Sequence, residues 1–107
     1  MPATTVNRLL PITLRQLQVF LAIAKTESIG LAAESLTMSK SAVSQALSEL
    51  ETRLGVQLFD RSKNKIVLNE DGLEAAQLAE DYLKREDFMV RQIQEKAWQM
   101  RTLTVAS

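Results

Sequence analysis

The sequence predicts a mainly α fold of three short helices, a small two-stranded hairpin and one long closing helix. Three observations lead there. Apolar residues recur at spacings of three and four in four stretches, each opened by a residue whose side chain can cap a helix. Between the third and fourth stretches, residues 57–68 have the apolar content of two short strands around a polar tip. From Glu70 to Met100 neither proline nor a loop cluster interrupts the helical pattern, which gives 31 residues and about 46 Å at ~1.5 Å rise each.

Residues 1–12 show no period and include Pro11, so they are expected to form a loose arm. Thr13 opens the first helix. Gln16, three positions on, completes a possible capping box, and Leu14, Leu17, Phe20, Leu21 and Ala24 form a stripe that should end near Thr26. Ser28 can cap a second, short helix with Ile29, Ala32, Ala33 and Leu36 on one side, and Thr37 and Met38 make the turn that follows. In the third helix, Ser39 is the cap and Gly55 stands where a left-handed residue ends a helix. Ala42, Val43, Ala46, Leu47, Leu50 and Leu54 should face inward there.

The hairpin is expected from Gln57–Asp60 and Ile66–Leu68 with Ser62–Lys65 at its tip, and it must pack on the helices because two strands alone are marginal. Asn69 can cap the last helix, with Glu70 and Asp71 at its positive end. Along that helix Ala76, Ala79, Leu83, Val90, Ile93, Ala97 and Met100 follow a three-four alternation broken only by Glu86. A stripe that long needs a partner. A second copy of the chain is the expected one, and packing of part of the stripe on its own head or on a further domain is the alternative. Tyr82 and Trp98, on the same helix, are expected at a helix interface.

Composition narrows the function. The 107 residues contain neither Cys nor His. A disulfide framework and a thiolate metal site are thereby excluded, and the commonest general base and zinc ligand are missing. Neither an enzyme nor a cofactor-binding or metal protein is expected. The carboxylates of the long helix read as a solvated face. With no secretory leader pattern and no membrane-length apolar run, a cytoplasmic protein without membrane contact is expected. Net charge is zero, but residues 1–69 hold eight basic against five acidic side chains, a local excess of +3. Phosphate binding depends on cations on one face, and the Debye length of roughly 8 Å at physiological salt keeps a distant acidic helix from cancelling them.

The polar face of the third helix carries Lys40, Ser41, Ser44, Gln45 and Ser48. A merely wetted helix usually shows Lys and Glu there, whereas small hydroxyls and an amide can approach base edges closely. Ser39, Ser41 and Ser44 can donate to phosphate or bases, Gln45 can pair with adenine, and Lys40 can reach guanine or phosphate. Arg61, Lys63 and Lys65 alternate at the hairpin, where their heads can lie along one side and meet a phosphate strand, though for the two lysines a solvated turn is an equal reading. Arg53 either touches a phosphate or offsets the negative end of its helix. A short helix, a tight turn, a serine-rich helix face and a basic hairpin together describe a winged helix-turn-helix with double-stranded DNA as its partner. The rival reading is a winged-helix module that contacts proteins and no DNA.

These residues resemble the DNA-binding head of the LysR-type transcriptional regulators. The match runs from about Leu14 to Leu68 through Leu17, Phe20, Ser28, Ala32, Ala33, Leu36, Ser39, Ala42, Val43, Ser44, Leu50, Glu51, Leu54, Gly55, Leu58, Phe59 and Arg61, with Gly72 in the linker helix. Lys40 stands where the family usually has Gln, and Asn69 where Thr is common. The resemblance implies a winged head over residues 13–69 and a linker or dimerisation helix over 70–101. It also implies antiparallel pairing of that helix in a homodimer, and binding to an interrupted inverted repeat at a bacterial promoter. Residues 102–107 are expected to begin the family's effector-binding domain, whose first strand residues 103–107 resemble, so a small-molecule effector is expected to act only through that further domain.

Overall fold

The computed structural model describes residues 12–62 and 64–106; of the arm expected over residues 1–12, all but Ile12 lies outside them. Helix α1 spans Leu14–Thr26, α2 Ile29–Leu36, α3 Lys40–Leu54 and α4 Glu70–Ala106, and the antiparallel hairpin consists of β1, Phe59–Ser62, and β2, Lys65–Leu68.

Each helix start is closed by the side chain the sequence offers. The Gln16 amide N–H donates to Thr13 Oγ1 at 3.1 Å while the Thr13 N–H donates to Gln16 Oε1 at 3.2 Å, a reciprocal box that satisfies two first-turn donors. Ser28 and Ser39 accept from the third residue beyond each, and Asn69 Oδ1 accepts from the Gly72 N–H at 2.8 Å. Such caps typically contribute about 1 kcal/mol apiece. The turn between α2 and α3 closes on backbone bonds. Thr37 sits at φ 55°, its N–H bonded back into α2, and the Met38 N–H donates to the Ala33 carbonyl at 2.9 Å. Gly55 takes φ 75° at the end of α3.

Helix α1 is the hub of the core, packing against α2, α3, α4 and β2. Val19, Phe20 and Ile23 are buried and meet Ala32 and Ala33 of α2 and Val43, Leu47 and Leu50 of α3. The stripe expected on α1 is therefore displaced. Leu14 is exposed, Leu17, Leu21 and Ala24 are half-buried, and the densest packing falls on Val19 and Ile23. A helix clasped from two sides buries more than one stripe: Leu21 and Ala24 border a groove with Leu68 and Ala76, on the side of α4. Leu54, expected inward, is also exposed.

The first strand lies two residues later than expected and the second begins one residue earlier, with Phe59 opposite Leu68 and Ser62 opposite Lys65. Phe59 and Ile66 turn into the core, and the Phe59 ring meets Phe20 edge-on at 5.5 Å between centroids. Leu58, just before β1, is fully buried. Its N–H donates to Glu51 Oε2 at 2.8 Å and its carbonyl accepts from the Asn69 N–H at 3.0 Å.

Helix α4 differs from expectation in two respects. Ala76 and Ala79 are buried in the core of their own head, so the proximal part of the expected dimer stripe is intramolecular, while Ile93 and Met100 are exposed and Leu83 half-buried. The helix also continues past Arg101 to Ala106, through residues expected as a strand. Among the described residues the only strands are β1 and β2. With no neighbouring strand, a helix is the conformation that pairs this segment's backbone groups internally.

At Gly72 α4 approaches the wing closely, since a Cβ there would lie 2.0 Å from the Leu58 carbonyl oxygen and 2.9 Å from Leu68 Cδ2. Backbone cannot yield as a side-chain tip can. Gly72→Ala is expected to cost roughly 2–3 kcal/mol through overpacking, despite the better helix propensity of Ala. Urea unfolding followed by circular dichroism measures it; a neutral or stabilised variant would refute the contact.

Candidate nucleic-acid interface

With Val43, Ala46, Leu47 and Leu50 directed into the core, the opposite face of α3 is left to solvent. At about 100° per residue, Ser41, Ser44, Gln45, Ser48 and Thr52 share that face, Lys40 lies at one edge and Arg53 at the other. All but Arg53 are exposed. Thr52 was not among the expected residues, although its spacing of four from Ser48 places it in the same row.

The members differ in freedom. Ser39 Oγ is occupied as the cap, accepting from the Ala42 N–H at 3.1 Å, and lies 3.4 Å from Ser41 Oγ. Lys40 runs over the first turn of α2. A Cβ on Gly30 would lie 3.2 Å from Lys40 Cε and 3.7 Å from its Nζ, so the ammonium lies close to the positive end of a helix dipole. Both favour an anion there. Gln45 is held by Glu49, its Nε2 donating to Oε2 at 3.4 Å. Arg53 is half-buried and turned toward α1, where its Nη1 donates to Gln16 Oε1 at 3.3 Å.

Gln16 is the one buried polar side chain among the described residues, 4% exposed. The sequence reading took it only as a capping partner. Its Oε1 accepts from the Thr13 N–H and from Arg53, and its Nε2 donates to Glu49 Oε1 at 3.4 Å. The amide is thus satisfied at both ends, as burial demands. Bonds across 33 and 37 residues of sequence left no local signal.

On the wing, Arg61 and Lys65 are exposed, and Lys63 lies outside the described residues. Arg61 stands opposite Ile66 and Lys65 opposite Ser62, so their side chains leave from opposite faces of the ribbon, not along one side as expected. Alternation along one strand reverses when counted across a turn. Both nevertheless border one open concavity with Glu27, Ser28 and Ile29, and Lys65 Nζ lies 3.9 Å from Glu27 Oε1. That exposed pair contributes little to stability and leaves the lysine available to a stronger anion.

The geometry is that of a helix face with a cationic edge at Lys40 beside a hairpin that carries Arg61 and Lys65. The model for the bacterial regulatory helix-turn-helix proteins of the lysR family matches residues 14–73, more than half of the chain. The chain belongs to the lysR family. Among its relatives, the uncharacterized HTH-type transcriptional regulator YeiE of Escherichia coli is 54% identical over 61 residues, 57% of this chain and 21% of that protein. The HTH-type transcriptional regulator CfxR of Cupriavidus necator is 43% identical over 61 residues, 57% of this chain and 19% of its own. This chain therefore spans about a fifth of the length of these curated relatives. Among solved structures, the BenM DNA-binding domain in complex with catB site 1 DNA is similar at a TM-score of 0.77 and 29% identity, over 79% of this chain and 96% of that one. Corynebacterium glutamicum OxyR in its oxidized form is similar at 0.71 and 38% identity, over 75% of this chain and 24% of that one. The winged helix-turn-helix with a long following helix is thus shared over 75–79% of this chain.

The wing's place relative to α3 depends on the Glu51 carboxylate, which holds the buried Leu58 N–H. Glu51→Ala is expected to cost about 1–3 kcal/mol by stranding that donor. Glu51→Gln, which keeps an acceptor, should recover most of it. Equal losses from both variants in urea unfolding would show that the charge, not the hydrogen bond, matters.

Proposed function

We propose that this chain is the DNA-binding part of a bacterial transcription regulator, which reads double-stranded DNA with the exposed face of α3 and acts as a dimer on an interrupted inverted repeat. The observation that carries this is the α3 face itself. Ser41, Ser44, Gln45, Ser48 and Thr52 expose short hydrogen-bonding groups with no bulky side chain among them, which suits a helix lying in the major groove. Lys40, with the α2 N-terminus beside it, and Arg61 and Lys65 on the wing supply cations for phosphates on either side. The similarity to the DNA-bound BenM domain supports the same reading.

The distal part of α4 supports the dimer. Leu78, Tyr82, Met89, Ile93 and Met100 are more than half exposed. Leu78, Met89 and Met100 stand eleven residues apart, as do Tyr82 and Ile93. This row lies roughly a quarter-turn from the one buried at Ala76 and Ala79, and an eleven-residue period of about 3.67 residues per turn keeps it nearly straight along the helix. A second copy of the same helix covers it.

Binding of this chain to genomic DNA fragments across a salt series, with sequencing of what is retained, tests the reading. An enriched inverted repeat with a steep salt slope is expected. Lys40→Ala and Arg61→Ala should each lower that slope by about 0.9 while leaving the oligomeric state unchanged. Unchanged affinity in both would favour a protein-contact module instead. Ile93→Asp should shift the chain toward monomer in sedimentation equilibrium and weaken binding to the two-half-site repeat more than to a single half-site; a dimer that survives it would place the interface elsewhere.

A further inference from the structure

We infer that Glu49 sets the base preference of α3 by holding the Gln45 amide in one orientation, so that Gln45 reads adenine. The inference rests on the DNA-binding reading above and adds a specificity determinant to it.

The argument starts in the core. Gln16 is buried, and its oxygen is claimed by two groups that can only donate, the Thr13 backbone N–H and the Arg53 guanidinium. Its NH2 must then face the other way, and there it meets Glu49 Oε1. With one oxygen of the carboxylate tied to α1 in this way, the other is directed at Gln45, whose Nε2 lies 3.4 Å from Oε2. An ionised carboxylate only accepts, so the Gln45 amide has one favourable orientation beside it: NH2 toward Glu49, carbonyl away. Reversing the amide would bring two acceptors together.

The consequence is chemical. One N–H of Gln45 is engaged, and the outward edge offers Oε1 and the remaining N–H side by side. In the major groove that pair matches adenine, whose N6 amine donates and whose N7 accepts. Guanine offers two acceptors and thymine one acceptor beside a methyl group, so neither matches the outward carbonyl. Glu49 is therefore a positioning residue: it acts through Gln45 and needs no contact with DNA of its own.

Selection from randomised duplexes with the unaltered chain, Gln45→Ala and Glu49→Gln tests this. The unaltered chain should prefer adenine at one position of each half-site, and Gln45→Ala should abolish that preference there alone. Glu49→Gln keeps an acceptor for Gln16 but can present either end of its own amide, so the adenine preference should fall about tenfold at the same position, with other positions and the melting temperature unchanged. A Glu49→Gln profile identical to the parent's overturns the inference. So does a shift in affinity common to all sequences, which would mean that Glu49 acts only as a charge, and so does a preference for a G·C pair at the Gln45 position. Absence of sequence-selective binding by the unaltered chain would instead remove the DNA reading itself.

Discussion

Leu58 is the residue on which the arrangement of this molecule turns. Its N–H is held by the Glu51 carboxylate of α3, its side chain is buried in the core, and its carbonyl accepts from Asn69 and lies against Gly72 at the start of α4. Asn69 adds a bond from its Nδ2 to the Gln57 carbonyl at 2.9 Å and caps α4 with its Oδ1. Three elements are thereby registered on one residue. The end of α3, the first strand of the wing and the first turn of α4 cannot shift independently, because Leu58 leads directly into β1 while its N–H is held from α3 and its carbonyl by the residue that caps α4, two polar groups that would be costly to leave unpaired in the core.

That constraint explains how a small head can hold the exposed face of α3 and the wing, the two features proposed to meet DNA, at a defined separation. The side chains that the proposed function turns toward DNA are exposed, whereas their backbones are anchored by buried groups: Val43, Leu47 and Leu50 under α3, Phe59 and Ile66 under the wing. Preorganisation of this kind lowers the ordering cost of binding. The network from Thr13 through Gln16 and Glu49 to Gln45 extends the same logic to one side chain of the reading face, since a buried amide with both ends satisfied transmits its orientation outward. Zero net charge is compatible with this design, because the cations that matter are grouped on the head and the acidic excess lies along α4.

Helix α4 divides its labour by depth. Its first turns complete the core of the head through Ala76 and Ala79, small residues that allow close approach to α1. Beyond Leu83 it leaves the head, and the apolar side chains it carries there, Met89 and Ile93 among them, have no head to pack on. An isolated helix of that length gains little from propensity alone, so its stability depends on covering that row.

The sequence by itself determined what is local. Thr13, Ser28, Ser39 and Asn69 cap helices through bonds to residues three positions on, Gly55 ends one in the left-handed region, and the polar face of α3 follows from a period of 3.6; each is legible because cause and effect lie within one helical turn. The lysR resemblance was legible for the same reason, since it rests on the pattern of these positions. Only the tertiary structure decided what depends on neighbours distant in sequence. It displaced the buried side of α1 toward Val19 and Ile23, because that helix is packed on two sides. It sent Arg61 and Lys65 to opposite faces of the hairpin, because the turn fixes the register. It took Ala76 and Ala79 for the head and left Ile93 exposed, and it joined Gln16 to Glu49 and Arg53. In each case the sequence pattern admitted more than one arrangement, and burial of apolar area with every buried polar group paired selected among them.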